Sequence, residues 1–185
     1  GRPRGKGMGM IETILVATDG SAHAKMAADL AAEIAEKFAA RMVILHVMLR
    51  HTSEADIEAL CKENAMPDAL ENKFEELRKN FVEMASVSYE AGPMSIHVPD
   101  DVLNEVGKLI LDNARQRAES KGVKDITTQI LDGAPADKII AAAEKENADL
   151  IVLGSRGLGN IAGFLMGSVS HKVSHLSKCT CVTVK

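Results

Sequence analysis

The sequence predicts an α/β fold, an open and mostly parallel sheet of five strands with helices on both faces. Short apolar runs of strand length alternate with segments of helical period at both ends of the 185-residue chain. The run from Met42 to Met48 is almost entirely apolar, which is typical of a strand covered on both faces in a parallel sheet. Because strands and helices alternate, we expect right-handed crossovers between strands that run in one direction.

The first unit is a strand, a turn and a helix. The apolar run from Ile14 to Ala17 predicts the strand, which ends at the turn Thr18-Asp19-Gly20-Ser21. Met42 to Met48 forms the second strand. A helix is predicted between them because apolar residues recur every four positions, at Met26, Leu30, Ile34 and Phe38, with Ala27, Ala31 and Ala35 beside them.

The segment from about 50 to 98 departs from this alternation and is predicted to be a helical insertion after the second strand. Two helical patterns flank Pro67, and the second has the three-four-three spacing of a packing seam. We expect this face to pack on its own domain; a dimer contact and a cover over the functional site are the alternatives. The apolar positions are Ile57, Leu60 and Cys61 in the first pattern, then Phe74, Leu77, Phe81 and Met84 in the second.

The alternation returns after residue 98. Apolar spacing gives the type of each element, and Gly and Pro mark several of the boundaries. The predicted elements are a helix from Asp101 to Lys121, a strand from Ile126 to Leu131, a helix from Pro135 to Glu146, a strand from Leu150 to Leu153, a helix from Ser168 to Ser177 and a strand from Cys179 to Val184.

The length predicts a single domain over residues 11–185, since domains commonly have about 100 to 200 residues. Residues 1–10 are rich in Gly and Arg. We expect them to be a disordered arm or a remnant of cloning, with a natural start at Met8 or Met10, and not a signal peptide.

Composition argues against several classes of partner. With 22 Lys and Arg against 26 Asp and Glu, the net charge is -4, so we expect no broad cationic surface for nucleic acid or a membrane. No apolar run approaches the roughly 18 residues of a membrane span. Three Cys without a CxxC spacing argue against disulfides and zinc, and favour a cytoplasmic protein. Aromatic residues are 3% of the chain, so a ligand must be held mostly by backbone and small side chains.

Two loops at the carboxyl edge of the predicted sheet are candidates for a binding site. The first is Thr18-Asp19-Gly20-Ser21. The second begins at Gly154-Ser155-Arg156-Gly157, contains five glycines and ends at Gly167-Ser168-Val169-Ser170, which opens a helix. Glycines let backbone amides approach a ligand, and the unpaired amides of a helix N-terminus attract anions. The loops therefore predict a phosphate site, although the sequence has neither a Walker A motif nor GxGxxG after the first strand.

Parts of the sequence resemble the nucleotide-binding branch of the universal stress protein family, namely ILVATDGS, LHV and DLIVLGSRGLGNIAGFLMGSVSHKVSHLSKCTCVTV. The resemblance includes GxxG, nine residues and then G[ST], at Gly154, Gly157, Gly167 and Ser168. It covers the first strand to Val47 and about 102–184, but not the 50–98 insertion.

The resemblance implies a Rossmann-like sheet of five parallel strands and an adenine nucleotide as ligand. ATP is the first expectation, with AMP or ADP as alternatives, and some family members carry Mg or Mn on the triphosphate. The ribose and phosphates would be wrapped by Gly154, Ser155, Arg156 and Gly157, and the phosphate tail would be held by Gly167, Ser168, Val169 and Ser170. The adenosine portion would be contacted by Ala17, Thr18 and Asp19 of the first loop, and the adenine by Val47 of the second strand.

Simpler roles remain open for some of these residues. Asp19 also suits a turn and N-cap position, Arg156 a solvated loop, and Ser168 and Ser170 helix capping. Two histidines, His171 and His175, lie four apart on the predicted helix. No third metal ligand is evident near them, so we expect surface histidines.

The resemblance also implies a homodimer, often formed in this family through the last strand. This sequence reads Cys179-Thr180-Cys181 where family members tend to read CPV, which makes that edge less apolar. No base, nucleophile and orienting partner occur together, so we expect no efficient enzyme. The resemblance implies a stress-response binding module or switch that reads adenine nucleotide. The alternatives are a slow ATPase or phosphotransfer enzyme on the same scaffold, and an interaction protein that works through the insertion.

Overall fold

A computed structural model describes residues 11–48, 50–87, 96–158 and 166–185. The predicted arm, 1–10, lies outside the described residues, as do the loop glycines Gly159 and Gly163 and the side chain of Met84. None of the helices in these four ranges is long and apolar enough to cross a bilayer. The elements in chain order are β1 (Thr13–Ala17), α1 (Ala22–Phe38), β2 (Arg41–Val47), β3 (His51–Thr52), α2 (Glu54–Glu63), α3 (Asp68–Val87), β4 (Ile96–His97), α4 (Asp100–Ser120), β5 (Ile126–Leu131), α5 (Pro135–Lys145), β6 (Leu150–Gly154), α6 (Ser168–Leu176) and β7 (Thr180–Val184).

Strand β1 lies at the centre of a five-stranded sheet whose order is β5-β2-β1-β6-β7. All neighbouring strands are parallel, which confirms the predicted fold class and its five strands. From β1 the chain builds outward through β2 and β5, then returns to the other side of β1 for β6 and β7. The winding direction therefore reverses between β1 and β6, where sheets of this kind bind ligands beyond the carboxyl ends of their strands.

Helices cover both faces of this sheet. Successive side chains of a strand point to opposite faces, so Ile14 and Val16 pack on one side with α1 and α4. Leu15 and Val43 pack on the other side with α5 and α6. Strand β2 is buried along nearly its whole length, as expected for a strand between two helical layers.

Helix α1 packs on the sheet through small side chains. Its buried residues are alanines, and Ala27 and Ala31 are inaccessible to solvent. Two larger members of the four-residue pattern lie toward solvent, because Met26 is 43% and Phe38 is 53% exposed. The alanine face brings the helix so close to β6 that a Cβ at Gly154 would lie 2.8 Å from the carbonyl carbon of His23.

Residues 50–87 and 96–98 form a lobe beside α4, here called the α2–α3 lobe. Ile57, Leu60 and Phe74 are buried in one cluster with Val102 and Val106 of α4. This confirms the expectation that the apolar faces of the insertion pack on their own domain. The insertion is mainly helical, as expected, and it also contains a short antiparallel ribbon of β3 and β4 that the sequence did not indicate. Strands of two residues are too short to give a periodic signal.

The alanine face of α1 can be tested by enlarging one of its side chains. We expect Ala31→Leu to lower the free energy of unfolding by about 1–3 kcal/mol, because a close-packed interface must shift to admit three more carbon atoms. Ala22→Leu introduces the same side chain at an exposed position of the same helix and should change it by less than about 0.5 kcal/mol. Urea unfolding of both variants checks this, and equal midpoints would show that α1 does not pack through its alanines.

Candidate functional site

A cavity of about 280 Å³ opens at the carboxyl edge of the sheet, where the winding direction reverses. It is bounded by the ends of β1, β2 and β6 and by the first turns of α1, α2, α5 and α6. The structure brings all of the predicted binding residues except Ser155 to its wall. The described lining residues are Ala17, Thr18, Asp19, Ala24, Leu45, Val47, Asp56, Pro135, Ile139, Leu153, Gly154, Arg156, Gly157, Leu158, Gly167, Ser168, Val169 and Ser170.

The N-terminus of α6 lies at the wall of the cavity. Gly167 is the N-cap, and the first intrahelical bond runs from the His171 N–H to the Gly167 carbonyl at 3.0 Å. The amides of Ser168, Val169 and Ser170 therefore have no acceptor within the helix. All three residues line the cavity, so their N–H groups and the positive end of the helix dipole lie at its wall.

Ser155 fixes the position of this helix start. It is 2% exposed and lies behind the cavity wall. Its N–H donates to the Val184 carbonyl at 2.6 Å, and its own carbonyl accepts from the Gly167 N–H at 2.7 Å. The Ser170 hydroxyl also donates to the Ser155 carbonyl, at 2.9 Å. Ser155 thus connects β6 to both β7 and α6, and its predicted contact with a ligand remains a prediction.

The two serines of the α6 motif differ in their surroundings. Ser168 is exposed, so its hydroxyl is available at the mouth of the cavity. Ser170 is buried, and its hydroxyl lies within hydrogen-bond distance of two carbonyls, those of Ser155 and Gly167. Ser170 therefore offers a ligand its backbone amide more readily than its side chain. Neither serine is the N-cap of the helix.

Asp19 joins the two loops of the site. Its Oδ1 accepts from the Ser21 N–H at 3.0 Å, and its Oδ2 accepts from the Leu158 N–H at 3.0 Å. The N-cap of α1 is Ser21, whose hydroxyl accepts from the Ala24 N–H, so the alternative role of Asp19 as the cap is wrong. The carboxylate still lines the cavity while it holds the loop after β6 against the loop after β1.

Two glycines of the predicted motif are required by contacts within the protein. A Cβ at Gly154 would meet the backbone of the first turn of α1, and a Cβ at Gly157 would overlap Asp19 Oδ2. Gly167 is different, because the nearest atom to a Cβ there is the Ser155 carbonyl oxygen at 3.5 Å. The first two glycines therefore shape the loop, whereas the described protein atoms leave room for a Cβ at position 167.

The rest of the cavity is mainly apolar. Ala17, Leu45 and Val47 end the first two strands, and their side chains lie on the face that α5 covers. Sequence reasoning named Ala17 and Val47 but missed Leu45, although the alternation of a strand places positions 45 and 47 on one face. It also missed residues that only tertiary structure brings here, which are Ala24, Asp56, Pro135, Ile139, Leu153 and Leu158.

The charges at the cavity have both signs. Arg156 is half-exposed and is the basic residue among the described lining residues, while Asp19 and Asp56 are the acidic ones. In the described part of the chain, no three His, Cys, Asp or Glu side chains gather in a cluster that could hold a metal. His171 and His175 stack with ring centroids 6.3 Å apart on the exposed side of α6, as expected for surface histidines.

His46 supports the first loop from beneath. It is 1% exposed, and its Nδ1 lies 2.9 Å from the Thr18 carbonyl, which assigns the ring proton to Nδ1. Burial lowers the pKa of His46 below its ordinary value of 6.5, and the bond to Thr18 and the charge of Asp19 only partly offset that effect. The ring is therefore neutral at pH 7 and donates to the loop that carries Asp19.

The model of the universal stress protein family matches residues 10–185, which is almost the whole chain. The chain belongs to the universal stress protein family. The match includes the α2–α3 lobe, which the motif resemblance did not cover. The described helix starts and glycines therefore lie within the part of the chain that matches the family.

Named universal stress proteins match over nearly their full length. One from Bacillus subtilis (YxiE) is 32% identical over 179 residues, covering 95% of this chain and all of its own. One from Thermus aquaticus is 31% identical over 180 residues, with the same coverage. Among solved structures, a universal stress protein in complex with cAMP is 27% identical with a TM-score of 0.60, covering 96% of this chain and 99% of its own.

The contact between Gly157 and Asp19 predicts a coupled pair of mutations. Gly157→Ala should lower the free energy of unfolding by about 1–3 kcal/mol, because the new Cβ displaces Asp19 Oδ2 from the Leu158 N–H. In an Asp19→Ala background the same substitution should lower the free energy of unfolding by much less, since the new Cβ no longer meets a carboxylate at position 19. Urea unfolding of the four proteins checks this, and additive effects would show that the two residues do not touch.

The buried His46 predicts a loss of stability in mild acid. The unfolded chain takes up a proton at His46 near pH 6.5, but the folded chain resists it because the folded pKa is lower. Stability is therefore full above about pH 6.5 and falls as the pH drops below it, by at most about 1.4 kcal/mol per pH unit. Urea unfolding at pH 7.5 and 5.5 should show a larger loss for wild type than for His46→Asn. An equal loss in both proteins would mean that His46 is protonated as readily in the folded chain.

Proposed function

We propose that this universal stress protein binds an adenine nucleotide at the carboxyl edge of its sheet and acts as a stress-response module or switch. ATP is the proposed first ligand, with ADP and AMP as alternatives. The observation that carries the proposal is the pairing of an amide-lined helix start with an apolar wall in one cavity. A nucleotide has an anionic end and a flat, largely apolar end, so it is complementary to both.

The phosphate end of the ligand is assigned to α6. Three backbone amides without intrahelical partners meet there, and each hydrogen bond to a charged oxygen contributes about 1.5–3 kcal/mol. Arg156 adds a positive charge to the same wall. After the cost of ordering the ligand, such contacts are enough for micromolar binding.

The adenosine end is assigned to the ends of β1 and β2. The apolar surface of Ala17, Leu45 and Val47 suits a base, and Pro135 and Ile139 close this side from α5. The solved relative in complex with cAMP, at 27% identity, supports an adenine compound as the ligand of this chain.

Mg²⁺ or Mn²⁺ would enter with the phosphates of ATP, held in part by the nucleotide itself.

Hydrolysis is proposed to be slow or absent. Among the described lining residues, no histidine or other base stands beside a serine nucleophile, and the Ser170 hydroxyl is directed to carbonyl oxygens. Backbone amides alone stabilise charge on a bound triphosphate, which leaves slow ATP turnover as the second candidate function. An efficient enzyme would need groups that the described lining residues do not supply.

We also propose that the protein is a cytoplasmic homodimer. The outer strand β7 leaves one edge of the sheet open to a second copy, and its side chains are only partly buried. The cysteines at positions 61, 179 and 181 are all free, which fits a reducing compartment.

The proposal predicts that a negative charge at the α6 start blocks nucleotide binding. Ser168→Asp should weaken ATP binding at least tenfold, because a carboxylate would repel phosphate across a few ångströms. An acidic residue also favours a helix N-terminus, so the variant should stay folded. Ser174→Asp adds the same charge to the exposed C-terminal half of α6 and should bind ATP like wild type.

Isothermal titration calorimetry with ATP, AMP and adenosine checks this. We expect measurable binding of ATP and AMP and weaker binding of adenosine. In a steady-state assay, we expect ATP turnover below about 1 per second. If Ser168→Asp and Ser174→Asp bound ATP with equal affinity, the start of α6 would not contact the phosphates. No binding of any adenine compound would refute the proposed function, and rapid turnover would make the protein an ATPase.

A further inference from the structure

The cavity wall includes one carboxylate that no sequence motif indicated. Asp56 lies on the first turn of α2, in the lobe outside the motif resemblance, yet it lines the same cavity as the α6 amides. We propose that Asp56 is a specificity-determining residue that accepts a hydrogen bond from the nucleoside part of the bound nucleotide. This inference rests on the proposed function of the site.

The side chain of Asp56 is held in place by a capping box. Its Oδ2 accepts from the Ser53 hydroxyl at 2.7 Å and from the Ser53 N–H at 3.2 Å, while the Ser53 hydroxyl accepts from the Asp56 N–H. Among the described residues these are its only hydrogen bonds, and no basic side chain pairs with it. Oδ1 therefore remains an acceptor without a protein donor on a carboxylate whose orientation is already fixed.

Helix α2 is anchored to the first loop of the site. Its C-cap residue, Asn64, is 3% exposed, and its Nδ2 donates to the Gly20 carbonyl at 3.2 Å and to the Leu60 carbonyl at 2.9 Å. The Asn64 Oδ1 is buried and has no hydrogen-bond partner among the described residues, which costs free energy. Ile57 and Leu60 fasten the same helix to α4, so Asp56 reaches the cavity from a rigid element.

The sheet order indicates that Asp56 lies toward the ends of β1 and β2, away from the amides of the α6 start. Helix α2 follows β2 and contacts the loop after β1, whereas α6 is tied to the end of β6 through Ser155. Strands β2 and β6 flank β1, so their ends are about 10 Å apart. A phosphate held at α6 directs the nucleoside toward β1 and β2, where Asp56 lies. A carboxylate there repels phosphate and attracts N–H and O–H donors.

A nucleoside offers two kinds of donor to this carboxylate. One is the exocyclic amino group of adenine, and the others are the 2′ and 3′ hydroxyls of the ribose. Either would form a charge-assisted hydrogen bond, which is stronger than a neutral one. In both cases the carboxylate of Asp56 accepts a hydrogen bond from the nucleoside. Nucleotide analogues that each lack one of these donors can identify the group that donates.

The test compares Asp56→Asn with Glu58→Gln, which removes the same charge from an exposed position on the same helix. Calorimetry with ATP should show about tenfold or greater weakening for Asp56→Asn and no change for Glu58→Gln. Inosine triphosphate, 2′-deoxy-ATP and 3′-deoxy-ATP are then titrated into wild type and Asp56→Asn. The analogue that lacks the recognised donor should bind wild type more weakly than ATP but should lose little further affinity in Asp56→Asn.

Several results would overturn the inference. If Asp56→Asn, with an unchanged circular dichroism spectrum and thermal midpoint, binds ATP as tightly as Glu58→Gln, Asp56 does not contact the nucleoside. If the weakening disappears when EDTA replaces Mg²⁺, the carboxylate acts through a metal on the phosphates instead. If wild type and Glu58→Gln bind none of the four nucleotides, the proposed function itself fails, and the inference fails with it.

Discussion

The site depends on how the first turn of α6 is held. Ser155 lies behind the cavity wall, where its N–H donates a hydrogen bond to β7 and its carbonyl accepts hydrogen bonds from the α6 start. These bonds hold the first turn of α6 at the cavity, where the amides of its first three residues have no acceptor within the helix. Three N–H groups are left facing a cavity, and groups of this kind require water or an anion. An anion is favoured further because the helix dipole points its positive end there.

The sheet gives the proposed phosphate site its second half. Its alternating side chains leave Ala17, Leu45 and Val47 at the strand ends, under α5, as an apolar surface. The reversal of winding at β1 places that surface beside the α6 start. Through its two hydrogen bonds, Asp19 then links the loop after β1 to the loop after β6. Glycine is needed at two close contacts, because a Cβ at Gly154 would meet the backbone of α1 and a Cβ at Gly157 would meet Asp19.

The sequence alone predicted the parts of the molecule that have a local signal. Strand runs, helical period and the spacing of Gly154, Gly157 and Gly167 are readable because each reflects a repeated or steric requirement along the chain. Asp56 gave no such signal. Its role depends on where α2 lies in space, which Asn64 and the apolar contacts with α4 determine. The packing of α1 through alanines was also hidden, because the larger Met26 and Phe38 dominate the same helical pattern although they lie toward solvent.

The central claim is that the backbone amides at the α6 start bind the phosphate of an adenine nucleotide. Amide chemical shifts in ¹H–¹⁵N correlation spectra test it most directly, during titration with ATP and, separately, with adenosine. We expect ATP to move the signals of Ser168, Val169 and Ser170 strongly, and adenosine to move mainly signals from the ends of β1 and β2. If ATP left those three amides unchanged while shifting others elsewhere in the protein, its phosphate would not bind at the α6 start.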